Sequence, residues 1–171
     1  MRSTSSSIIV VGIVVGIVVG LVVGIVAGLG VGAGCSSSDA KDEFMKKGKQ
    51  SEAEMNLRSI EKSLKTHYVE MAAFPTGSAP LTPSAPCCET ATKKCDNNPA
   101  QWADDPIWKA LRFSVDEPHF YQYVYESNGR TARATAVGDL DCDGTTVTYA
   151  VSCEVVDGNP ICTQTKPDNR D

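Results

Sequence analysis

Residues 53–71, AEMNLRSIEKSLKTHYVEM, are the stretch that decides how the chain folds. Apolar side chains recur here at steps of three and four residues, at Leu57, Ile60, Leu64, Tyr68 and Met71. Because this spacing follows the 3.6-residue turn of an α-helix, it predicts an amphipathic helix with one apolar stripe. Phe74 and Pro75 end the pattern. We therefore assign residues 36–74 to a long amphipathic helix.

The surface that the stripe covers is predicted from three tyrosines further along the chain. Polar and aromatic residues alternate between Phe120 and Glu126, and the dipeptide Asn128-Gly129 is a strong hairpin signal. A two-residue turn there places Tyr125 opposite Ala132, Tyr123 opposite Ala134 and Tyr121 opposite Ala136. We expect this large-against-small sheet face to lie beneath the helix.

The remaining segments complete a small domain, which we call the head (residues 75–171). Residues 75–100 are rich in Pro, Thr, Asn and Cys and are interpreted as a surface loop. Asp105-Pro106 predicts the start of a short helix, and Trp102 and Trp108 are expected to pack on the domain. Two further strands are predicted near residues 146–156 and 161–165.

The N-terminal part of the chain has the composition of a membrane segment. After a polar N-terminus (residues 1–7), residues 8–34 contain only Ile, Val, Leu, Ala and Gly. As a helix this segment is about 40 Å long, enough to span a hydrocarbon core of roughly 30 Å. We interpret it as a transmembrane or signal helix; the alternative is a β-aggregating low-complexity segment. The predicted fold class is thus α+β, with a membrane helix continuing into a long amphipathic helix packed on a small antiparallel sheet.

Glycine recurs at every fourth position of the apolar segment. The series comprises Gly12, Gly16, Gly20, Gly24, Gly28 and Gly32. Such a stripe of small residues lets another helix approach closely, which predicts helix–helix packing in an oligomer. The alternative is a single anchor with a repetitive composition.

Cys35 directly follows the apolar segment. Ala33, Gly34 and Cys35 resemble the lipobox of bacterial lipoproteins, in which the cysteine is acylated, whereas Gly32 stands where that motif usually has Leu. The apolar run is also longer than the 7–15 residues of an ordinary signal peptide. Lipidation at Cys35 and an uncleaved anchor are therefore both considered.

Charge and cysteine content limit the functional classes. The formal net charge is -5, which argues against nucleic acid as a partner because phosphate binding needs a basic surface. Seven cysteines in 171 residues indicate an oxidising compartment. The two histidines have no nucleophile pattern around them, so we predict a protein that is not an enzyme. These properties predict an acidic extracytoplasmic domain tied to a membrane.

The cysteines of the head are expected to form three disulfides. Cys153 and Cys162 are equidistant from Asp157-Gly158, a preferred two-residue hairpin turn. Counting outward places them in a non-hydrogen-bonded pair, within reach of a disulfide. Since adjacent cysteines rarely bond each other, one of Cys87 and Cys88 should pair with Cys95 and the other with Cys142.

An acidic segment offers a candidate metal site. Asp139, Asp141 and Asp143 stand at alternate positions before Gly144, as at the start of a calcium-binding loop. The twelfth position is Ala150 rather than Glu, so the EF-hand pattern is incomplete. Calcium is the only cofactor considered, and the alternative is an acidic turn between strands.

Five segments of the chain carry a family resemblance: residues 44–57, 86–88, 106–111, 113–121 and 138–144. Together they resemble type IV pilins and pseudopilins, and the head resembles deltaproteobacterial fimbrial proteins. The resemblance implies a helix packed on an antiparallel sheet, anchorage in a bacterial cell envelope with the head periplasmic or extracellular, and assembly with copies of itself or other pilin-like subunits.

The first 40 residues depart from the pilin pattern. They contain no short basic leader followed by Phe-Thr-Leu-Ile-Glu, and no Glu precedes Glu43. The function expected from the resemblance is a structural subunit of a type IV pilus or a type II secretion-like filament. The alternative is a monomeric lipoprotein or anchored binding module that carries a pilin-like head.

Overall fold

The computed structural model describes residues 37–167. The predicted membrane segment (residues 8–34), its glycine series and Cys35 lie outside the described residues. Between residues 37 and 167, no helix is both long and apolar enough to cross a bilayer.

The described chain is one long helix packed on a five-stranded antiparallel sheet, which confirms the predicted α+β class. The sheet is a meander in the order β1-β2-β3-β4-β5. The helices are α1 (Ser37–Met71), α2 (Pro99–Ala103) and α3 (Pro106–Leu111), with a 3₁₀ turn at Cys87–Glu89. The strands are β1 (Gly77–Thr82), β2 (Gln122–Ser127), β3 (Thr131–Gly138), β4 (Val147–Val156) and β5 (Asn159–Thr165).

The apolar stripe of α1 packs on the sheet over most of its predicted length. Ala53, Leu57, Ile60 and Leu64 are each at most 1% exposed. The predicted burial of Met71 is wrong, because its side chain is 65% exposed. The helix also ends at Met71 rather than at residue 74, because the next residue, Ala72, has a left-handed backbone conformation. The chain leaves the helix axis at this point, so the last residue of the stripe is not directed onto the sheet.

The tyrosine face lies against the core as predicted, but the hairpin register is two residues away from the predicted one. Tyr123 pairs with Ala136 and Tyr125 with Ala134. The cause is Asn128, whose side-chain oxygen accepts hydrogen bonds from the backbone N–H groups of residues 130 and 131, at 2.9 and 2.8 Å. These bonds centre the turn on residues 129–130. A two-residue shift keeps every side chain on its face, so the tyrosines remain buried.

The interpretation of residues 75–100 as loop throughout is wrong. Gly77–Thr82 forms strand β1, which pairs antiparallel with β2 and is irregular between Ala79 and Thr82. Pro80 lies within this irregular stretch. Proline lacks a donor for the ladder and is tolerated on an edge strand, which is the position of β1 in the sheet.

The two short helices carry the tryptophans that fill the core beside α1. Trp102 is 1% exposed and Trp108 is fully buried, so both pack on the domain as predicted. The rings lie 5.9 Å from Tyr123 and 6.2 Å from Tyr125, respectively. The Trp108 indole N–H donates to the Thr82 hydroxyl of β1 at 3.0 Å. The tyrosine face is thus also packed by α2 and α3.

Candidate functional site

Helix α1 has a second apolar face on the side away from the sheet. Phe44, Met55 and Val69 are 78%, 66% and 80% exposed. Because 11 residues make about three turns and 14 residues about four, these three side chains share one side of the helix. The buried Leu57 and Leu64 lie on the opposite side. We call Phe44, Met55 and Val69 the outer face of α1.

A groove adjoins the C-terminal end of the outer face. Its volume is about 810 Å³, and its walls come from α1 and from Gln164 of β5. Val69 supplies apolar surface, and the charged lining is mixed, with Arg58, Lys62 and Lys65 positive and Glu61 and Glu70 negative. Apolar side chains spaced along one side of a helix, beside a groove, form a surface that another helix can cover.

The six cysteines of the head form three disulfides. Cys153 and Cys162 are bonded across β4 and β5, in the register counted from the Asp157-Gly158 turn. The choice left open by the sequence is resolved as Cys87–Cys95 and Cys88–Cys142.

The acidic segment forms a tight loop, which we call the acidic loop (residues 139–144). The Asp139 carboxylate accepts hydrogen bonds from the backbone N–H groups of residues 142, 143 and 144, at 2.7, 3.2 and 2.9 Å. The Asp143 carboxylate accepts one from the Thr145 N–H at 2.7 Å, and this bond lowers the pKa of Asp143. These hydrogen bonds define the geometry that the segment has as an acidic turn between strands.

The same loop brings together the three predicted calcium ligands. One carboxylate oxygen from each of Asp139, Asp141 and Asp143 lies within 4.8 Å of the other two. Oxygen atoms at this spacing can converge on one hard cation. Asp141 is also paired with Lys46 of α1, with 3.3 Å between the charged atoms. Calcium binding stays a prediction.

Glu52 of α1 is a partly buried acid that the sequence did not indicate. Its Oε1 accepts a hydrogen bond from the Phe120 N–H at 2.9 Å. Burial raises the pKa of Glu52 to about 7, and this effect outweighs the opposing hydrogen bond from Phe120 and the positive charge of Lys94. Glu52 lies beside the apolar stripe, and its burial depends on a segment 68 residues later in the chain. Local patterning carries no signal of such a contact.

The Nδ1 atom of each histidine lies within hydrogen-bonding distance of a backbone carbonyl oxygen. His119 is 1% exposed, and its Nδ1 lies 2.9 Å from the Glu117 carbonyl oxygen. Because a carbonyl only accepts, Nδ1 carries the proton, and burial lowers the pKa of His119. The Nδ1 of His67 lies 2.9 Å from the Ala73 carbonyl oxygen. The absence of enzymatic activity stays a prediction.

No family model, curated protein or solved structure matches the chain. The resemblance to type IV pilins and pseudopilins stays a prediction that rests on the quoted segments.

Proposed function

We propose that this chain is a membrane-anchored, extracytoplasmic structural subunit of pilin type, which assembles with copies of itself or with related subunits into a type IV pilus or a type II secretion-like filament. The observation that carries the proposal is the outer face of α1. A helix that already buries one stripe against its own head, and exposes a second apolar row, has a surface suited to a neighbouring helix.

The energetics of the outer face favour a partner. Fully burying a Val, Met or Phe side chain contributes roughly 1.5–3 kcal/mol. Met55 and Val69 are both at least 66% exposed, so most of this gain remains available to an assembly contact. Scattered apolar side chains are common on surfaces, and Phe44, Met55 and Val69 are 11 and 14 residues apart, so they offer three separate apolar contact points along one side of the helix.

The disulfides support the extracytoplasmic placement. Three bonds join all six cysteines of the head, and such bonds persist in oxidising compartments rather than in the reducing cytosol. The apolar segment that precedes α1 in the chain supplies the proposed anchor.

Charge substitutions on the outer face test the proposal. Cells would express two differently tagged copies of the full chain, and chemical crosslinking would report their association. We expect Met55→Lys together with Val69→Lys to reduce the crosslinked species at least about tenfold, since burying an unpaired lysine costs more than the 1.4 kcal/mol that corresponds to a factor of ten.

Ile161→Lys is the matched control. Ile161 is 51% exposed and pairs with Glu154 of β4, next to the inward-facing Cys153, so alternation places it on the side of the sheet away from α1. We expect this variant to associate like the wild type. Equal crosslinking in all three proteins would show that association does not use the outer face, and no crosslinking even in the wild type would favour the monomeric anchored module instead.

A further inference from the structure

Helix α1 contacts the head through two chemically different halves. In the N-terminal half the contacts are polar: Lys46 pairs with Asp141, the Lys49 ammonium donates to the Leu140 carbonyl, the Glu52 carboxylate accepts from the Phe120 N–H, and the Asn56 amide donates to the Tyr123 hydroxyl. We call Lys46, Lys49, Glu52 and Asn56 the polar seam. They lie at steps of three and four residues, so they form one side of the helix.

The C-terminal half is held by apolar packing. Leu57, Ile60 and Leu64 are each at most 1% exposed. Among the described side chains of residues 41–56, only Ala53 is buried to this degree. Water replaces polar contacts at small net cost, whereas it cannot replace buried leucine and isoleucine contacts. The N-terminal half of α1 is therefore the part that can leave the head while the rest stays docked.

Glu52 is the titratable group at the centre of the polar seam. On α1 its neighbours one turn away are Lys49 and Asn56. The segment that precedes β2 supplies the Phe120 N–H at 2.9 Å.

The remaining groups near Glu52 come from other elements. They are Lys94, whose positive charge favours the carboxylate, and the hydroxyls of Tyr121 and Tyr123, with Tyr149 of β4 behind Tyr121. The ammonium groups of Lys49 and Lys94 lie 4.8 and 4.9 Å from the centre of the Phe120 ring rather than in a direct ion pair with Glu52.

We propose that the polar seam is a clasp that stays closed while the Glu52 carboxyl is neutral and opens when it ionises, leaving Leu57, Ile60 and Leu64 docked. Burial disfavours the charged carboxylate more than its hydrogen bond and Lys94 favour it, which raises the pKa of Glu52 from 4.5 to about 7. An opened seam exposes Glu52 to water and returns its pKa to the ordinary value.

The direction and size of the effect follow from this difference. A carboxyl whose pKa is raised in the closed form favours closure at low pH, and the closed form loses that advantage as the pH rises from 4.5 to about 7. A difference of about 2.5 pKa units corresponds to a change of about 300-fold in the ratio of open to closed seam. The clasp does not depend on filament assembly, so its failure would leave the proposed function untouched.

Hydrogen exchange on the full chain in nonionic detergent tests the clasp. Exchange would be measured between pH 5 and pH 8 and corrected for the intrinsic pH dependence of amide chemistry. We expect protection of residues 41–56 to fall by up to about 70-fold over this range, because part of the roughly 300-fold change has already occurred at pH 5 and a short helical segment without its docking contacts frays in water. Protection of residues 57–68 should stay constant.

Two neutral variants separate Glu52 from the other acids of α1. Glu52→Gln keeps an oxygen acceptor for the Phe120 N–H and cannot ionise, so we expect residues 41–56 to stay protected at pH 8. Glu54→Gln, a matched change two residues away in a surface ion pair with Lys166, should keep the wild-type profile. A flat wild-type profile overturns the clasp by itself. It is also overturned if Glu52→Gln retains the pH dependence, or if residues 57–68 lose protection in step.

Discussion

Removing the Cys88–Cys142 disulfide is expected to destabilise the head more than removing either of the other two. This bond joins residues 54 positions apart, whereas Cys153–Cys162 spans 9 and Cys87–Cys95 spans 8. In the chain-entropy treatment, a loop of 54 residues corresponds to about 4.2 kcal/mol at 25 °C, and a loop of 9 residues to about 2.6 kcal/mol. The predicted difference between the two bonds is about 1.6 kcal/mol.

Paired substitutions measure this difference. Cys88→Ala/Cys142→Ala and Cys153→Ala/Cys162→Ala would be unfolded in urea as full chains in nonionic detergent, and the free energies of unfolding extrapolated to zero urea. The second pair is a matched control because β4 and β5 remain hydrogen-bonded on both sides of it. A loss from the Cys153/Cys162 variant as large as that from the Cys88/Cys142 variant would refute the reasoning from loop length.

Four further predictions concern glycines and the acidic loop. Gly20→Ile should weaken association in a membrane dimerisation assay while leaving insertion intact; unchanged association would leave a plain anchor. Millimolar calcium should raise the melting temperature, and replacing the three aspartates of the acidic loop by Asn should abolish the rise; a wild-type melting curve that never shifts would leave only the acidic turn. Gly138→Ala should lower the free energy of unfolding by about 1–3 kcal/mol in urea titrations, because its Cβ would lie 2.8 Å from the Tyr121 ring. Gly48→Ala, a helical position with nothing within 4 Å, should instead raise it by about 0.5–1 kcal/mol, and equal signs for the two alanines would contradict the packing account.

Features with a local cause were predicted correctly from the sequence. The stripe at Leu57, Ile60 and Leu64 follows the helical period, and all three residues are buried. Asp157-Gly158 lies at the turn between β4 and β5, so counting outward from it placed Cys153 opposite Cys162. In both cases a few neighbouring residues determine the geometry.

The wrong predictions from the sequence fall where two local signals favour different turns, or where pairing with a partner strand determines the secondary structure. At Asn128-Gly129 the side chain of Asn128 binds the backbone of the following residues and moves the turn by one position. Strand β1 contains Pro80 and has little strand propensity, so its pairing with β2 is imposed by tertiary structure. Composition alone does not distinguish such an edge strand from a loop.

The polar seam could not be predicted from the sequence, for a different reason. Each of its contacts joins α1 to residues far along the chain, such as Phe120 for Glu52 and Tyr123 for Asn56. In the helix pattern a partly buried acid such as Glu52 cannot be distinguished from a surface acid until the segment that covers it is placed. The sequence therefore predicted which residues of α1 face the core but not which ones hold its N-terminal half.

Fractionation of sheared cells, followed by electron microscopy with an antibody against the head, tests the filament proposal most directly. We expect the protein to be released in filaments that the antibody labels along their length, and Met55→Lys/Val69→Lys to abolish them. Recovery of the wild-type protein solely as a monomer in the membrane fraction would contradict the proposal and leave an anchored module with a pilin-like head.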